Sequence, residues 1–375
     1  MGGVVARLGV VYRTYRYRIY PTRAQRVALD AQLGFAADIY NAALEQRRYA
    51  WRAGRPLGYA GQSSQIAEIL SAGDGPSGMS SSAMLDPLRR LDRVFRRFER
   101  RISDGKNPGF PRFRSRHRYD ALTWNASWSL MQHRLKVPGI GYLKVKWHRA
   151  LPISSTLCTL TVRRQLGHWY ACFALARPMA SHPDPPPGPA VGVDLGIQNF
   201  AALSTGELIP GPRPFRATEQ RLRRAQRAVS RRVKGSVRRR KAGQLVGRLH
   251  LRVRNIRRNH VHVLSRRLVS EFGLIAVEDL VIQDMTRGSF AKDASDQGWA
   301  QFLNILGYKA ADAGVQVVRV PPAGTSVVCS GCRSFVSKLA SERTHRCPDC
   351  GLVIDRDINA ARNILRLGLS RQAST

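Results

Sequence analysis

Apolar residues recur along this chain at two different periods, and the switches between them mark out its elements. Over YRTYRYRIYP, residues 12–21, aromatic or apolar positions alternate with arginine, which predicts a strand with one basic face ended by Pro21. From Thr22, a fitting N-cap, the spacing changes to three and four. Val27, Leu29, Leu33, Ala36, Ile39, Tyr40 and Leu44 then share one face of a predicted long helix. Helical text continues from about Ser64 to Arg101, and GKNPGFPRFRSRHR follows as a turn-rich basic loop. Between about 120 and 180 the period returns to two. HRLKVPGIGYLKVKWHR, TLCTLTVRRQ and HWYACFALA are short, β-branched or aromatic segments, which predict a small barrel or sheet completed by the N-terminal strand.

SHPDPPPGPA, residues 181–190, is a proline-rich linker and the clearest boundary in the chain. Beyond it AVGVDLGIQNFAALSTGELI gives an apolar run ending in Asp194, a second strand and a turn at 204–207. No acidic residue lies between Glu219 and Glu271, where arginine and lysine crowd in. Leu245, Leu249, Val253, Ile256, His260 and Leu264 keep helical spacing there, so one or two long basic helices are expected. The apolar run LIAVEDL, a helix around WAQFLNILGYKAADAG and the strand VQVVRV complete an alternating strand and helix pattern, the mark of an α/β domain.

Composition narrows the class. At 375 residues with 43% hydrophobic content, the chain is expected to hold two or three domains. A formal net charge of +37 and a pI near 11.4 make a polyanion the expected partner, nucleic acid first. No segment approaches the roughly 18 apolar residues that span a bilayer. A cytoplasmic protein that does not engage a membrane is the expectation, and the cysteines agree with it.

Four of the six cysteines form two C-x-x-C pairs, Cys329 with Cys332 and Cys347 with Cys350, separated by fourteen residues. Each pair can offer two thiolates to a tetrahedral Zn²⁺, with Gly331, Pro348 and Gly351 at the turns. Four thiolates leave no open position, so such a zinc is structural. Cys158 and Cys172 stand alone in strand-like text.

The acids are few, which makes their placement informative. Asp194 and Glu278 each end an apolar run, VGVD and IAVE, while alternation turns Asp279 away from Glu278. Asp357, just past the second cysteine pair, reads alone as an N-cap for INAARNIL. The three together, in so basic a chain, support a site for two Mg²⁺ ions and phosphodiester cleavage.

VGVDLGIQNFAAL, IAVEDLVIQDM and CSGCRSFVSKLASERTHRCPDCGLVIDRDINAARNI resemble the three acid-bearing motifs and the zinc ribbon of TnpB, the OrfB protein of insertion sequences. YRYRIYPTRAQ and GYLKVKWHR extend the resemblance over nearly the whole chain. It implies a RuvC (RNase H-like) nuclease domain over 183–375 with a zinc ribbon inserted at 325–353. A strand-rich wedge or β-barrel domain over 1–21 and 116–182 would be interrupted by a helical recognition lobe over 22–115. By the same resemblance the catalytic acids are Asp194, Glu278 and Asp357, with Asp355 the lesser candidate for the third. The implied activity is RNA-guided cleavage of double-stranded DNA beside a short flanking motif, using a transposon-derived guide RNA. A nuclease-inactive RNA-guided repressor and a transposase performing strand transfer are the competing readings.

Two further features bear on function. His260-Val261-His262 matches the His-hydrophobic-His pattern of single-strand transposases, but residues two apart on a helix face different directions and cannot share a metal. The arginine runs lack acids to pair them, so binding to phosphates is their expected use. No helix-turn-helix or homeodomain pattern that would read a long DNA site is recognisable.

Overall fold

The computed structural model describes residues 10–73, 75–131, 134–153, 155–178, 188–280, 291–339 and 342–373. Most of the 181–190 linker and the end of IAVEDLVIQDM lie outside these residues. The chain divides into two compact units, Met1–Met179 and Ala180–Thr375.

In the first unit β1 (Val10–Tyr20) leads into α1 (Arg23–Arg52), followed by α2 (Tyr59–Ser63), α3 (Gln65–Ser71) and α4 (Ser81–Ser103). Six strands follow: β2 (Ala121–Trp124), β3 (Ser129–Met131), β4 (Arg134–Val137), β5 (Gly141–Lys146), β6 (Thr156–Gln165) and β7 (His168–Pro178). They join β1 in an antiparallel sheet of order β2-β6-β7-β1-β5-β4-β3. The N-terminal strand therefore sits at the centre of the sheet.

The two edge strands, β2 and β3, are consecutive in the chain and joined by residues 125–128 alone. Strands about 4.8 Å apart would put the edges of a flat seven-stranded sheet nearly 30 Å apart. A link of that length spans at most about 18 Å, so the sheet curls on itself. Tyr17 and Ile19 of β1 point into the enclosed core with Phe173, while Arg16 lies on the other face, 4.4 Å from the centre of the Tyr170 ring.

Thr22 and Gln25 form a capping box at the start of α1. Leu29, Leu33, Ala36, Ile39, Tyr40 and Leu44 are buried as the spacing predicts, whereas Val27 is 65% exposed because, at about 100° per residue, it falls on the opposite side of the helix. Helices and strands of this unit share one continuous core.

The second unit holds β8 (Ala190–Asp194), β9 (Asn199–Leu203), β10 (Leu208–Pro210), α5 (Pro214–Ser230), α6 (Val237–Glu271) and β11 (Leu274–Glu278). Then come α7 (Ala291–Gln297), α8 (Trp299–Ala313), β12 (Gln316–Val320), β13 (Thr344–Arg346), β14 (Val353–Asp355) and α9 (Arg356–Ala373). The main sheet runs β10-β9-β8-β11-β12, with β8, β11 and β12 parallel and β9 and β10 antiparallel.

Both faces of this sheet are covered, which is why its inner parallel strands, β8 and β11, are apolar until their last residues. Val191, Val193, Ile275 and Val277 pack with Val261 and Leu264 of α6 and Phe302 and Leu306 of α8. On the opposite face Ala276 and Val320 meet Ile364 of α9. That second face is built from small residues. A Cβ on Gly192 would overlap the Ala361 carbonyl and come within 2.7 Å of Leu365 N, and one on Gly368 would sit 2.5 Å from the Ala276 Cβ. Helix and sheet thus meet backbone to backbone.

The basic segment forms two helices. α5 starts at Pro214, and the buried Asp296 carboxylate accepts from the N–H groups of Phe215 and Arg216 at 2.9 and 3.2 Å. The same carboxylate takes the Arg257 guanidinium at 2.9 Å. Leu222, Ala225 and Leu249 form a small core between α5 and α6. The buried stripe of α6 runs through Ala242, Leu249, Val253, Val261, Leu264 and Leu268. Leu245 and Ile256, expected on it, are exposed, because the first half of α6 packs on α5 and the second half on the sheet. His260 is half-buried edge-on against Phe200, and burial lowers its pKa. No helix among the described residues is long and apolar enough to cross a membrane.

Gly192→Ala is expected to destabilise the protein by about 1–3 kcal/mol, since the added methyl can be housed only by lifting α9 from the sheet. Equilibrium denaturation checks it; a change below about 0.5 kcal/mol would contradict the close packing.

Candidate active site and metal centre

Asp194 is the last residue of β8 and Glu278 the last of β11, and the two strands are parallel neighbours in register, Val193 beside Val277. Both acids therefore emerge side by side at the carboxyl end of the sheet, where open α/β sheets place their ligands. Asp357 arrives from the other direction, in the first turn of α9, which lies across β8. The loop after β8 closes the gap: a Cβ on Gly196 would lie 3.6 Å from Asp357 Oδ2. Three distant stretches of chain thus bring their carboxylates together.

The electrostatics register that convergence. Asp194, half-buried at a strand end, has its pKa raised to about 8 by loss of solvation and then by the charges of Glu278 and Asp357. Arg356 and the Leu195 N–H oppose the rise only in part. Burial likewise raises Glu278, with a Thr325 hydrogen bond working against it. Asp357 is 6% exposed and accepts from Arg343 at 3.0 Å, with Arg356 Nε 3.5 Å away. Carboxylates crowded in this way are chemically suited to divalent cations that prefer oxygen ligands.

The two aspartates of DRD have different tasks. Asp355 Oδ1 accepts from the N–H groups of Asp357 and Ile358 at 2.8 and 3.3 Å, so Asp355 is the N-cap of α9. The capping role that Asp357 alone suggested belongs to its neighbour, which leaves the Asp357 carboxylate available to the acid cluster. Asp279 turns away as alternation required and pairs with Arg319 at 2.9 Å.

Between β12 and α9 the chain forms two cysteine knuckles. The sulfurs of Cys329, Cys332, Cys347 and Cys350 all lie within 4.8 Å of one another, with Cys329 to Cys350 at 3.6 Å and Cys332 to Cys347 at 3.4 Å. A tetrahedral zinc with bonds of about 2.3 Å requires sulfurs about 3.8 Å apart, so this cluster can bind a zinc ion. The knuckles repeat one geometry. Arg333 N–H reaches the Cys329 carbonyl and Gly351 N–H the Cys347 carbonyl, and both residues have left-handed φ, 73° and 71°. Gly331 serves space instead, since a Cβ there would come within 3.4 Å of Cys350 Sγ. Cys158 and Cys172 lie on β6 and β7 of the first unit, outside this group.

What ties the knuckles to the acids had gone unnoticed in the sequence. Asn359 and Asn363, one turn apart and fully buried on α9, both donate to the Val328 carbonyl, at 2.8 and 2.7 Å. Asn359 Oδ1 also accepts from Ser330 N–H at 2.8 Å, and Asn363 donates to the Thr325 carbonyl at 2.9 Å. Two asparagines four apart on an otherwise apolar helix face were the available signal. Their partners, being backbone carbonyls, carry none.

Comparison with known proteins follows the same outline. A family described as "Probable transposase" matches residues 164–288, and one described as "Cas12f1-like, TNB domain" matches 299–364. A third, "Helix-turn-helix domain", matches 11–56; that segment is folded as β1 followed by the single 30-residue helix α1. A Streptomyces pristinaespiralis protein named "Putative RNA-guided DNA endonuclease" is 34% identical over 97% of this chain and 91% of its own. InsQ of Escherichia coli K12, named in the same way, is 27% identical over 95% of this chain and 92% of its own. Among solved structures, the Cas12f1 chain of a Cas12f1-sgRNA-target DNA complex shares the fold with a TM-score of 0.58 at 13% identity, over 95% of this chain and 98% of that one.

The raised Asp194 pKa has a consequence for the metal-free protein. Between the unfolded value near 4 and about 8, the folded state holds more protons, so stability falls as pH rises through that window. Asp194→Asn should therefore raise the melting temperature in chelator more at pH 8 than at pH 5, and added Mg²⁺ should narrow the difference. Equal shifts at both pH values would show that the carboxylate is not crowded by its neighbours.

Proposed function

The chain belongs to the TnpB/OrfB family, and from that premise we propose that it is an RNA-guided DNA endonuclease of a transposable element whose RuvC-type centre is formed by Asp194, Glu278 and Asp357. The observation that carries the reading is the placement of these acids, two at the ends of neighbouring parallel strands and the third beside the loop that follows Asp194. A nuclease-inactive repressor has no use for so costly a cluster of buried like charges.

The three carboxylates would hold two Mg²⁺ ions, which when bound activate water and stabilise the leaving oxygen in phosphodiester hydrolysis. The protein's own part is geometric. Asp194 and Glu278 are fixed by paired strands, and Asp357 by a helix seated on the same sheet, so the backbone beneath all three carboxylates is held by regular structure. Cys329, Cys332, Cys347 and Cys350 would hold one structural Zn²⁺, in keeping with a cytoplasmic protein whose thiols stay reduced.

Binding and selection are separable. Exposed cations such as Arg221, Arg224, Arg231, Arg238 and Lys241 on α5, α6 and their connection suit phosphate contacts without sequence preference. The target would be chosen by a guide RNA pairing with double-stranded DNA, with the protein reading a short flanking motif. Purification from cells expressing the whole element should yield one dominant RNA from its own locus, and exchanging that RNA's terminal segment should redirect cleavage to the matching DNA. Cleavage indifferent to the exchange, or undiminished after RNA removal, would replace this reading with an unguided nuclease.

Asp194→Ala, Glu278→Ala and Asp357→Ala should each reduce guided cleavage by at least about 10³-fold while nucleic-acid binding persists. Asp355→Ala should cost about tenfold or less, as the loss of a helix cap. An inactive Asp355 variant beside an active Asp357 variant would reverse the assignment.

A further inference from the structure

Glu278 is 7% exposed, and the group that meets its carboxylate comes from neither of the other acid-bearing segments. Thr325, itself 4% exposed, directs its hydroxyl to Glu278 Oε1. Thr325 lies in the turn between β12 and the first cysteine knuckle, where Gly324 takes a left-handed φ of 82° and its carbonyl receives the N–H groups of Val327 and Val328. The turn is held from the far side by α9, since Asn363 donates to the Thr325 carbonyl at 2.9 Å. The helix whose first turn bears Asp357 therefore also holds the residue that meets Glu278.

We propose that Thr325 is a positioning residue for the metal site: its hydroxyl pins one oxygen of Glu278, and Asn363 ties that contact to the helix carrying Asp357. A carboxylate at a strand end can rotate about three side-chain torsions, and pinning one oxygen confines the plane in which the other lies. Thr325 is suited to this because its hydroxyl also lies 3.1 Å from the Pro322 carbonyl. Groups that hold a metal-binding carboxylate in this way, without touching the metal, commonly govern affinity by about 10–100-fold. The knuckle turn thus does more than enclose zinc: it extends to the second acid.

The inference rests on Glu278 being a ligand, and the test separates the two. Thr325→Val keeps the shape and removes the hydroxyl, and Thr325→Ser restores it. In the RNA-loaded protein, Mn²⁺ binding followed by electron paramagnetic resonance should weaken by about tenfold or more in the valine variant and recover to within about threefold in the serine variant. Single-turnover cleavage should follow the same order, with zinc content and melting temperature near those of wild type. Wild-type Mn²⁺ affinity in the valine variant would overturn the inference while leaving the nuclease reading intact. Equal weakening in both variants, or loss of zinc or folding in the valine variant without serine rescue, would show Thr325 to be merely structural. Glu278→Gln binding Mn²⁺ like wild type would instead overturn the assignment of Glu278 on which the inference stands.

Discussion

The second unit depends on how closely α9 lies against β8 and β11. Gly192 and Gly368 strip the interface of side chains, so the helix backbone rests almost on the strand backbone. This closeness positions Asp357, because the first turn of a helix seated there overhangs the ends of the strands that carry Asp194 and Glu278. A longer helix-to-sheet distance would leave two strand-end acids and one capped helix, each unremarkable alone.

That packing forces like charges together in an enclosed place. The chain as a whole carries +37, yet its acid cluster is countered locally by Arg343 and Arg356, which lie against Asp357. Carboxylates and guanidiniums thus share one enclosed place. A basic surface attracts phosphates over a Debye length or so, whereas the acids act only on what comes into contact with them. Arg343 comes from the cysteine-rich segment, so that segment contributes charge to the site as well as shape.

The cysteine knuckles are anchored to α9 by side chains rather than by a hydrophobic core. Asn359 and Asn363 satisfy the carbonyls of Thr325 and Val328 and the N–H of Ser330. Buried amides that meet backbone groups in this way fix register more sharply than apolar contacts, because misalignment leaves desolvated polar atoms unpaired. A small cysteine-rich segment without much core of its own gains a defined orientation from them.

Much of this was written locally. Alternation in YRTYRYRIY and HWYACFALA gave away strands, and Thr22 marked the start of α1, since capping and period depend only on neighbours in sequence. The cysteine spacing likewise announced a cluster, because two short turns can be read without knowing the fold. The stripe of α6 was misjudged at Leu245 and Ile256 for the complementary reason: one helix changes partners along its length, and periodicity cannot say which neighbour is on which side. Asp357 taken alone read as the helix cap, until the helix start was placed and the cap was seen to be Asp355. The meeting of Asp194, Glu278 and Asp357, and the reach of Thr325 to Glu278, were decided only in three dimensions, where parallel pairing of β8 with β11 and the seat made by Gly192 bring distant carboxylates within range of one another's charge.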